Sequence, residues 1–185
     1  TAEQILIRSG NIGSVRIGQK IGEEKFKLFL SKLGLLEKIN FDIEEVGRPI
    51  KFNWGKCPLA TVSFGHGITT TLLQLAKAYS IIVNGGYNIT PILIDSRKKI
   101  TKEKILNGEV SKKILPILRK IVTTKEGTAS LADVDGYEIG GKTGTAQKSI
   151  TGGYSSKKIN TFVSVFPTSK PKFVLAVMLD EPKTN

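Results

Sequence analysis

The sequence is poor in cysteine, aromatic residues and long apolar runs. Its 185 residues include one cysteine, one histidine and one tryptophan, and aromatic residues make up 7%. A single cysteine, Cys57, excludes an internal disulfide and gives no information on the redox compartment. No apolar run approaches the roughly 20 residues that a membrane-spanning helix needs, so neither a signal peptide nor an anchor is predicted in this segment.

Negative charge is also scarce. The sequence has 28 Lys and Arg against 16 Asp and Glu, which gives a net charge of +12 at pH 7. Such a domain could bind nucleic acid, an anionic membrane surface or an acidic polymer. However, the lysines are scattered, only five cations are arginines, and no aromatic-rich nucleic-acid motif is present. The sequence therefore predicts no nucleic-acid partner, and a basic nucleic-acid or surface-binding module remains as an alternative.

A hydrophobic content of 39% over 185 residues predicts one globular domain. The first three quarters of the chain are mainly helical in pattern. Apolar residues at helical spacing predict helices over residues 2–8, 23–33, 72–83 and 115–124. We expect Thr70 or Thr71 to cap the third of these, and Pro116 to lie in the first turn of the fourth. Residues 34–60 are predicted as loop, 91–95 as a short strand and 96–111 as a charged surface excursion.

The last quarter of the chain changes to a strand pattern. Strands are predicted over residues 139–148, 161–166 and 172–179, and the short connector at 167–171 predicts an antiparallel hairpin. Helices followed by an antiparallel sheet indicate an α+β domain with helices packed on that sheet.

The first candidate site is Lys142-Thr-Gly-Thr145, which lies within the first predicted strand. An ammonium, two hydroxyls and a glycine without a side chain, in a row on an exposed strand edge, can bind a carboxylate while a substrate backbone lies against the strand. The motif is suggestive but not decisive by itself.

The second candidate is Ser9-Gly-Asn11, which directly follows the first predicted helix. This spacing on a turn can project a hydroxyl and a carboxamide into one cleft, where the hydroxyl relays a proton and the amide binds a substrate. Alone, a Ser-x-Asn is a common chance match whose usual role is a cap or a turn.

Together the two motifs resemble part of the signature of penicillin-binding proteins and class A β-lactamases, namely Ser-x-x-Lys, Ser-x-Asn and Lys-Thr-Gly. Further matches to class B penicillin-binding transpeptidase domains, in the same order, span nearly the whole chain. They are Ser9-Gly-Asn-Ile-Gly13, Phe64-Gly-His-Gly67, Thr71-Leu-Leu-Gln-Leu-Ala76, Asn84-Gly-Gly86, Gly136-Tyr137, Gly141-Lys-Thr-Gly-Thr-Ala146 and Asp180-Glu-Pro-Lys183. The Phe-Gly-His-Gly and Asp-Glu-Pro-Lys forms are closest to the septal, cell-division type.

The resemblance implies a role for each site residue. Ser9 would lie in the proton path to the leaving amine, and Asn11 would hold the amide of the acyl donor. Lys142 would supply positive potential and a hydrogen bond to Ser9. Thr143 and Thr145 would bind the terminal carboxylate of the substrate or of a β-lactam, with the Thr145 N–H as an oxyanion donor, and Gly144 would let the acyl chain approach the strand. No metal or organic cofactor is implied, and a structural role is expected for His66.

One departure affects the mechanism. In the resembled family the nucleophile is the serine of Ser-x-x-Lys, which precedes Ser-x-Asn and opens a buried helix, but here Ser-x-Asn begins at residue 9. Three later Ser-x-x-Lys matches, at Ser96, Ser155 and Ser169, are in the wrong order and are rejected as nucleophiles. We expect residues 1–185 to be a partial transpeptidase domain of the β-lactamase/transpeptidase-like fold, lacking the nucleophile segment and a final C-terminal helix. This chain alone is then predicted to be inactive and not to react with penicillin.

The resemblance also implies a biological setting. The intact protein would be a peptidoglycan D,D-transpeptidase that crosslinks D-Ala-D-Ala stem peptides, binds β-lactams, and is tethered to the periplasmic face of the bacterial inner membrane with other division proteins. A partial domain would expose apolar surface and is therefore expected to self-associate. The alternative within the same fold is a penicilloyl-serine sensor domain, which is acylated but does not turn over.

Overall fold

The computed structural model describes residues 1–43, 46–49, 58–94, 103–150 and 153–183. Six helices and three strands follow one another along these ranges. They are α1 Ala2–Ile7, α2 Asn11–Ile21, α3 Glu23–Lys32, α4 Pro58–Ser63, α5 Leu72–Val83, α6 Gly108–Thr123, β1 Gly140–Ile150, β2 Gly153–Phe166 and β3 Phe173–Asp180, with a short 3-10 turn at Ser130–Ala132. Within these ranges, no helix is both long and apolar enough to cross a bilayer.

The three strands form one antiparallel sheet in the order β1-β2-β3. Gly140 pairs with Val165 at one end of the first ladder, and Phe166 pairs with Phe173 where the second hairpin closes. The α+β prediction and the predicted hairpin at 167–171 are therefore confirmed. An absence of this sheet would have favoured the alternative of a basic nucleic-acid or surface-binding module, so its presence counts against that alternative.

The core lies between the sheet and helices α5 and α6. Its most buried side chains are Ile81 on α5, Ile121 and Val122 on α6, and Val165 on β2. Helix α6 can lie directly on β1 because glycine occupies the contact, since a Cβ atom at Gly140 would come within 2.9 Å of the Arg119 backbone nitrogen. This close packing fixes the start of β1 against the helical layer.

Helix α1 is held against the C-terminal end of α6 by two ion pairs. The Arg8 guanidinium binds both carboxylate oxygens of Glu126, at 2.6 and 3.0 Å, and Lys120 on α6 pairs with Glu3 on α1. Each pair is exposed and contributes little stability by itself. The bidentate geometry nevertheless fixes the orientation of α1 beside the segment that follows α6.

Several predicted elements need correction. Helices α2 and α4 were not predicted, and α4 begins inside the predicted loop at 34–60. Helix α6 begins at Gly108 rather than 115, because Asn107 caps it by accepting a hydrogen bond from the Glu109 backbone, so Pro116 lies in the helix interior. Residues 91–94 form no strand, and the predictions for 95–102 lie outside the described residues.

The remaining helix predictions are confirmed to within a few residues. Thr71 caps α5 by accepting from the Gln74 backbone, while the Gln74 side chain binds the Thr71 backbone in return. The Gln74 side chain also donates to the carbonyls of Gly34 and Glu37, which ties the end of α3 to α5. A fully buried glutamine is satisfied by these contacts.

Helix α1 ends in a turn that places Ser9 in an unusual backbone conformation. The Gly10 N–H donates to the Ile5 carbonyl and the Ser9 N–H donates to the Leu6 carbonyl, which is the Schellman arrangement. This arrangement requires a left-handed residue, usually glycine, and here that residue is Ser9 with φ 55°. A serine at this position costs about 1 kcal/mol relative to glycine, which indicates that its hydroxyl is retained for another reason.

This strain predicts that glycine is more stabilising than alanine at position 9, the reverse of their order inside a helix. Both Ser9→Gly and Ser9→Ala remove the hydroxyl, but only glycine adopts a φ of 55° without strain, so Ser9→Gly should have the higher free energy of unfolding by about 1 kcal/mol. Chemical denaturation of the two variants measures the difference. The same pair at Ser14, inside α2, is the control and should rank in the opposite order by a similar amount. Equal stabilities of the two Ser9 variants would contradict the assignment of strain.

Candidate active site

A polar groove lies where the turn after α1, the start of α2, the segment after α6 and the edge of β1 meet. Its volume is about 630 Å³. It is lined by Ser9, Asn11, Thr128, Thr143, Gly144, Thr145, Asn160, Thr161, Phe162, Val177 and Leu179. The structure thus brings both sequence motifs to one groove, although more than 130 residues separate them.

Lys142 links the helical wall of the groove to the sheet. Its ammonium donates a hydrogen bond of 2.8 Å to the Ser9 hydroxyl and another of 3.0 Å to the Thr143 carbonyl. This is the Ser9–Lys142 contact that the resemblance implied. An ammonium has no lone pair, so the Ser9 oxygen must accept this bond and its own proton stays free for a partner in the groove.

Partial burial lowers the pKa of Lys142 below that of an ordinary lysine, because desolvation penalises the charged form. No carboxylate is among the causes of this shift. Among the described residues no carboxylate forms an ion pair with Lys142, so the positive potential of its ammonium is retained at the site. Such a cation favours an anionic group that develops or binds near Ser9.

Strand β1 presents an edge to the groove, since β2 pairs with it on one side only in the described sheet. Gly144 lies on this edge, and an added Cβ there would meet nothing closer than Thr161 at 4.0 Å. At Gly141 the same atom would lie 2.7 Å from the Val163 carbonyl oxygen. Packing therefore demands glycine at 141 but not at 144, where the space beside the strand is open to a ligand.

Asn11 reaches the groove because α2 begins immediately after the Ser9 turn. It is the first residue of α2, after the N-cap Gly10, and is exposed. Helices α1 and α2 approach closely at Gly13, where a Cβ would lie 2.5 Å from the Ile5 side chain. This close approach keeps the Ser9 hydroxyl and the Asn11 carboxamide on the same wall.

Sequence reasoning missed Thr128 and the groove residues on β2 and β3, and of these Thr128 has a direct side-chain contact with a predicted site residue. Its hydroxyl lies 2.7 Å from the hydroxyl of Thr143. No motif marks this position, because the contact depends on how α6 ends and not on a local pattern. Only the juxtaposition with Lys142-Thr-Gly-Thr145 could have identified it.

His66 lies in a different place. It packs against the rings of Phe64 and Tyr154 and lines a larger neighbouring cavity of about 980 Å³ that runs along Ala146, Gln147 and Lys148. Its Nδ1 is buried and has no hydrogen-bond partner among the described residues. The smaller groove is the better candidate site despite its size, since Ser9, Asn11 and the threonines converge there.

The far end of β1 is held by a charged cluster. Lys148 pairs with Asp180 and Glu181 at 2.8 Å each, and Lys157 pairs with Glu181 at the same distance. Hydrogen bonds from these lysines lower the pKa of Glu181. The first two residues of Asp180-Glu-Pro-Lys183 thus tie the end of β3 to the β1–β2 hairpin, next to an irregularity in register after Gln147.

The rejected Ser-x-x-Lys matches do not open helices where the structure describes them. Ser155 and Lys158 lie on β2, and Ser169 lies in the turn before β3, whereas Ser96 lies outside the described residues. No cluster of His, Cys, Asp and Glu suited to a metal ion occurs in the described ranges. The groove is therefore lined by hydroxyl and amide side chains beside the Lys142 ammonium, and the two described Ser-x-x-Lys matches lie outside it.

Comparison with known proteins places these features in a family. The penicillin-binding protein transpeptidase domain matches residues 1–185. Stage V sporulation protein D of Bacillus subtilis is 33% identical over 97% of this chain and 30% of its own length. A peptidoglycan D,D-transpeptidase FtsI homolog of Mesostigma viride is 32% identical over 96% of this chain and 35% of its own length.

Solved structures show the same relationship. The transpeptidase domain of Burkholderia pseudomallei penicillin-binding protein 3 has a TM-score of 0.90 and 28% identity, over 98% of this chain and 56% of the other. The aztreonam complex of Mycobacterium tuberculosis penicillin-binding protein 3 has a TM-score of 0.88 and 26% identity, over 98% of this chain and 45% of the other. The chain spans about a third of these curated relatives and about half of these solved chains. Since the family model matches its whole length and the solved structures share its fold, this chain belongs to the penicillin-binding protein transpeptidase domain family.

Proposed function

We propose that this chain is the C-terminal part of the transpeptidase domain of a class B penicillin-binding protein, a serine-type peptidoglycan D,D-transpeptidase. The observation that carries the proposal is the 2.8 Å hydrogen bond from Lys142 to Ser9, in the same groove as Asn11, Thr143 and Thr145. Unrelated turns and strands seldom combine a desolvated cation, a hydroxyl, a carboxamide and an open strand edge in one place.

The reaction is acyl transfer in two steps. A serine hydroxyl attacks the carbonyl between the two terminal D-Ala residues, its O–C bond forms, the C–N bond breaks, and the proton passes to the departing D-Ala amine. An acceptor amine then attacks the ester and releases the serine. Ser9 relays the proton to the leaving amine, and the hydrogen bond from Lys142 supports this role because it leaves the proton of Ser9 free.

The remaining groups bind and orient the donor. The Asn11 carboxamide holds the donor amide, and the hydroxyls of Thr143 and Thr145 bind its terminal carboxylate. The backbone N–H of Thr145 is one oxyanion donor, worth on the order of a hundredfold in rate. Gly144 leaves room for the acyl chain along β1, in agreement with the open space beside it.

The attacking serine belongs to a Ser-x-x-Lys segment outside these 185 residues. The greater length of the relatives and the strand and turn positions of Ser155 and Ser169 support this assignment. In the intact protein the domain works at the periplasmic face of the inner membrane with other division proteins, on D-Ala-D-Ala stem peptides. The names of the relatives, which include several FtsI and PenA transpeptidases, support a role in septal wall synthesis.

Labelling with a fluorescent penicillin tests the proposal. The full-length protein should be labelled covalently, this 185-residue chain alone should not, and Lys142→Ala in the full-length protein should slow labelling about a hundredfold or more. Lys158→Ala, at an exposed lysine of a rejected motif on β2, is the matched control and should label normally. Labelling of the short chain, or normal labelling of Lys142→Ala, would refute the assignment.

Release of D-Ala with crosslinking of stem peptides separates a transpeptidase from a sensor, which stops at the acyl-enzyme.

The lowered pKa of Lys142 predicts the alkaline pH range in which the acylation rate falls. As pH rises through this pKa the ammonium loses its proton, and with it the positive potential at Ser9, so the acylation rate should fall at a pH below the ordinary lysine range. A pH–rate profile for penicillin acylation measures it. Lys142→Arg, which stays charged, should be slower at neutral pH but should not show this fall in rate. If the acylation rate fell at the same alkaline pH in the wild type and in Lys142→Arg, the loss of the Lys142 proton would not be its cause.

Gly144 should separate stability from activity. Gly144→Ala adds a methyl group where the fold leaves space, so the free energy of unfolding should stay equal or rise by up to about 1 kcal/mol. The acylation rate should nevertheless fall about tenfold to a hundredfold, because the methyl group displaces the ligand from the strand. Gly140→Ala, which would collide with α6, is the control and should lower stability. Unchanged acylation in a stable Gly144→Ala protein would rule out close approach of the ligand at this residue.

A further inference from the structure

The segment between α6 and the 3-10 turn brings a third threonine into the groove. Thr128 lies on this segment, its Oγ1 is 2.7 Å from Oγ1 of Thr143, and it lines the same cavity as Ser9 and Asn11. At this distance one hydroxyl must donate to the other. The contact is therefore a hydrogen bond between two members of one wall of the groove.

The backbone around Thr128 holds this hydroxyl in place. A Cβ at Gly127 would lie 2.1 Å from the Ile121 carbonyl oxygen, so the chain passes α6 at a distance that only glycine allows. The Gly127 N–H donates to the Thr124 carbonyl, and the N–H of the buried Ala129 donates to the Ile121 carbonyl. Thr128 is thus flanked on both sides by residues bound to the end of α6.

The same segment is joined to the wall that carries Ser9. Glu126, two residues before Thr128, binds the Arg8 guanidinium through both of its oxygens. Arg8 directly precedes Ser9. Residues 126–128 therefore contact both sides of the groove, the helical side through Arg8 and the strand side through Thr143.

Thr128 and Thr143 each have one hydroxyl proton, and this limits how they can hydrogen-bond to an anion. A carboxylate only accepts, so a threonine that binds it must spend its single proton on the carboxylate. If Thr143 donates to the substrate carboxylate, it cannot also donate to Thr128, and the bond between them must run from Thr128 to Thr143. A hydroxyl that accepts one bond becomes a stronger donor in the next.

We propose that Thr128 is a positioning residue for substrate binding: it donates to Thr143 and thereby fixes the Thr143 proton towards the terminal carboxylate of the acyl donor. The inference rests on the proposed function, since it assigns a role in the same groove. It concerns the carboxylate end of the ligand only. Removal of the Thr128 hydroxyl should therefore weaken recognition of a carboxylate and leave recognition of an uncharged ester almost unchanged.

The test compares penicillin with its carboxylate methyl ester as acylating agents of the full-length protein. Thr128→Val keeps the shape of the side chain but has no proton to donate. It should lower the second-order rate constant for penicillin about tenfold, while the rate constant for the ester changes less than about twofold. Thr128→Ser retains the donor and should restore most of the loss. Thr123→Val, at the end of α6, removes a hydroxyl that donates to the Arg119 carbonyl oxygen and does not line the groove, and should change neither rate.

Three results would overturn the inference. Equal loss for penicillin and ester in Thr128→Val would assign Thr128 a purely structural role. No loss for either would leave Thr143 independent of Thr128, while the proposed function would stand because the wild type is acylated. Failure of the wild-type full-length protein to react with penicillin would reject the proposed function itself, and this inference with it.

Discussion

The hydrogen bond between the Lys142 ammonium and the Ser9 hydroxyl joins the helical and the sheet parts of the molecule at the groove. Its two partners are 133 positions apart, so the bond exists only if α1, α6 and β1 are packed correctly against one another. It also sets the chemistry, because the cation uses the oxygen of Ser9 and leaves its proton available. The same two side chains therefore stabilise the groove and would take part in proton transfer.

Some backbone positions around this bond are explained by packing, and others are explained only by the proposed function. Glycines at 140 and 127 let the chain pass within contact of α6, and packing alone explains them. Ser9 and Gly144 follow the opposite rule: one is a serine where the turn favours glycine, and the other is a glycine where the fold has room for a side chain. Both residues depart from the local structural preference, and the proposed reaction assigns a role to each of them.

The charged side chains near the groove also fall into two kinds, those in ion pairs that hold the fold and the Lys142 ammonium at the site. In each of the pairs Arg8–Glu126 and Lys148–Glu181 the two charges neutralise one another, so the pairs orient segments without adding to the potential of the site. In the part of the chain that the structure describes, no carboxylate is hydrogen-bonded to Lys142, whose ammonium is partly desolvated. The overall charge of +12 is thus a weaker guide to function than this one ammonium beside a hydroxyl.

The sequence by itself determined the family resemblance, the site motifs and the elements with a clear period, such as α3, α5 and the hairpin of β2 and β3. These depend on local patterns that the chain carries in order. It did not determine α2, the early start of α6 at an asparagine cap, or the irregular segment at 91–94, where capping and packing outweigh hydrophobic period. The family resemblance already implied that Ser9 meets Lys142, and the structure supplies the distance of 2.8 Å. Only the tertiary structure decided that Thr128 meets Thr143, because this contact depends on the packing of α6 against the sheet and leaves no mark on the local sequence.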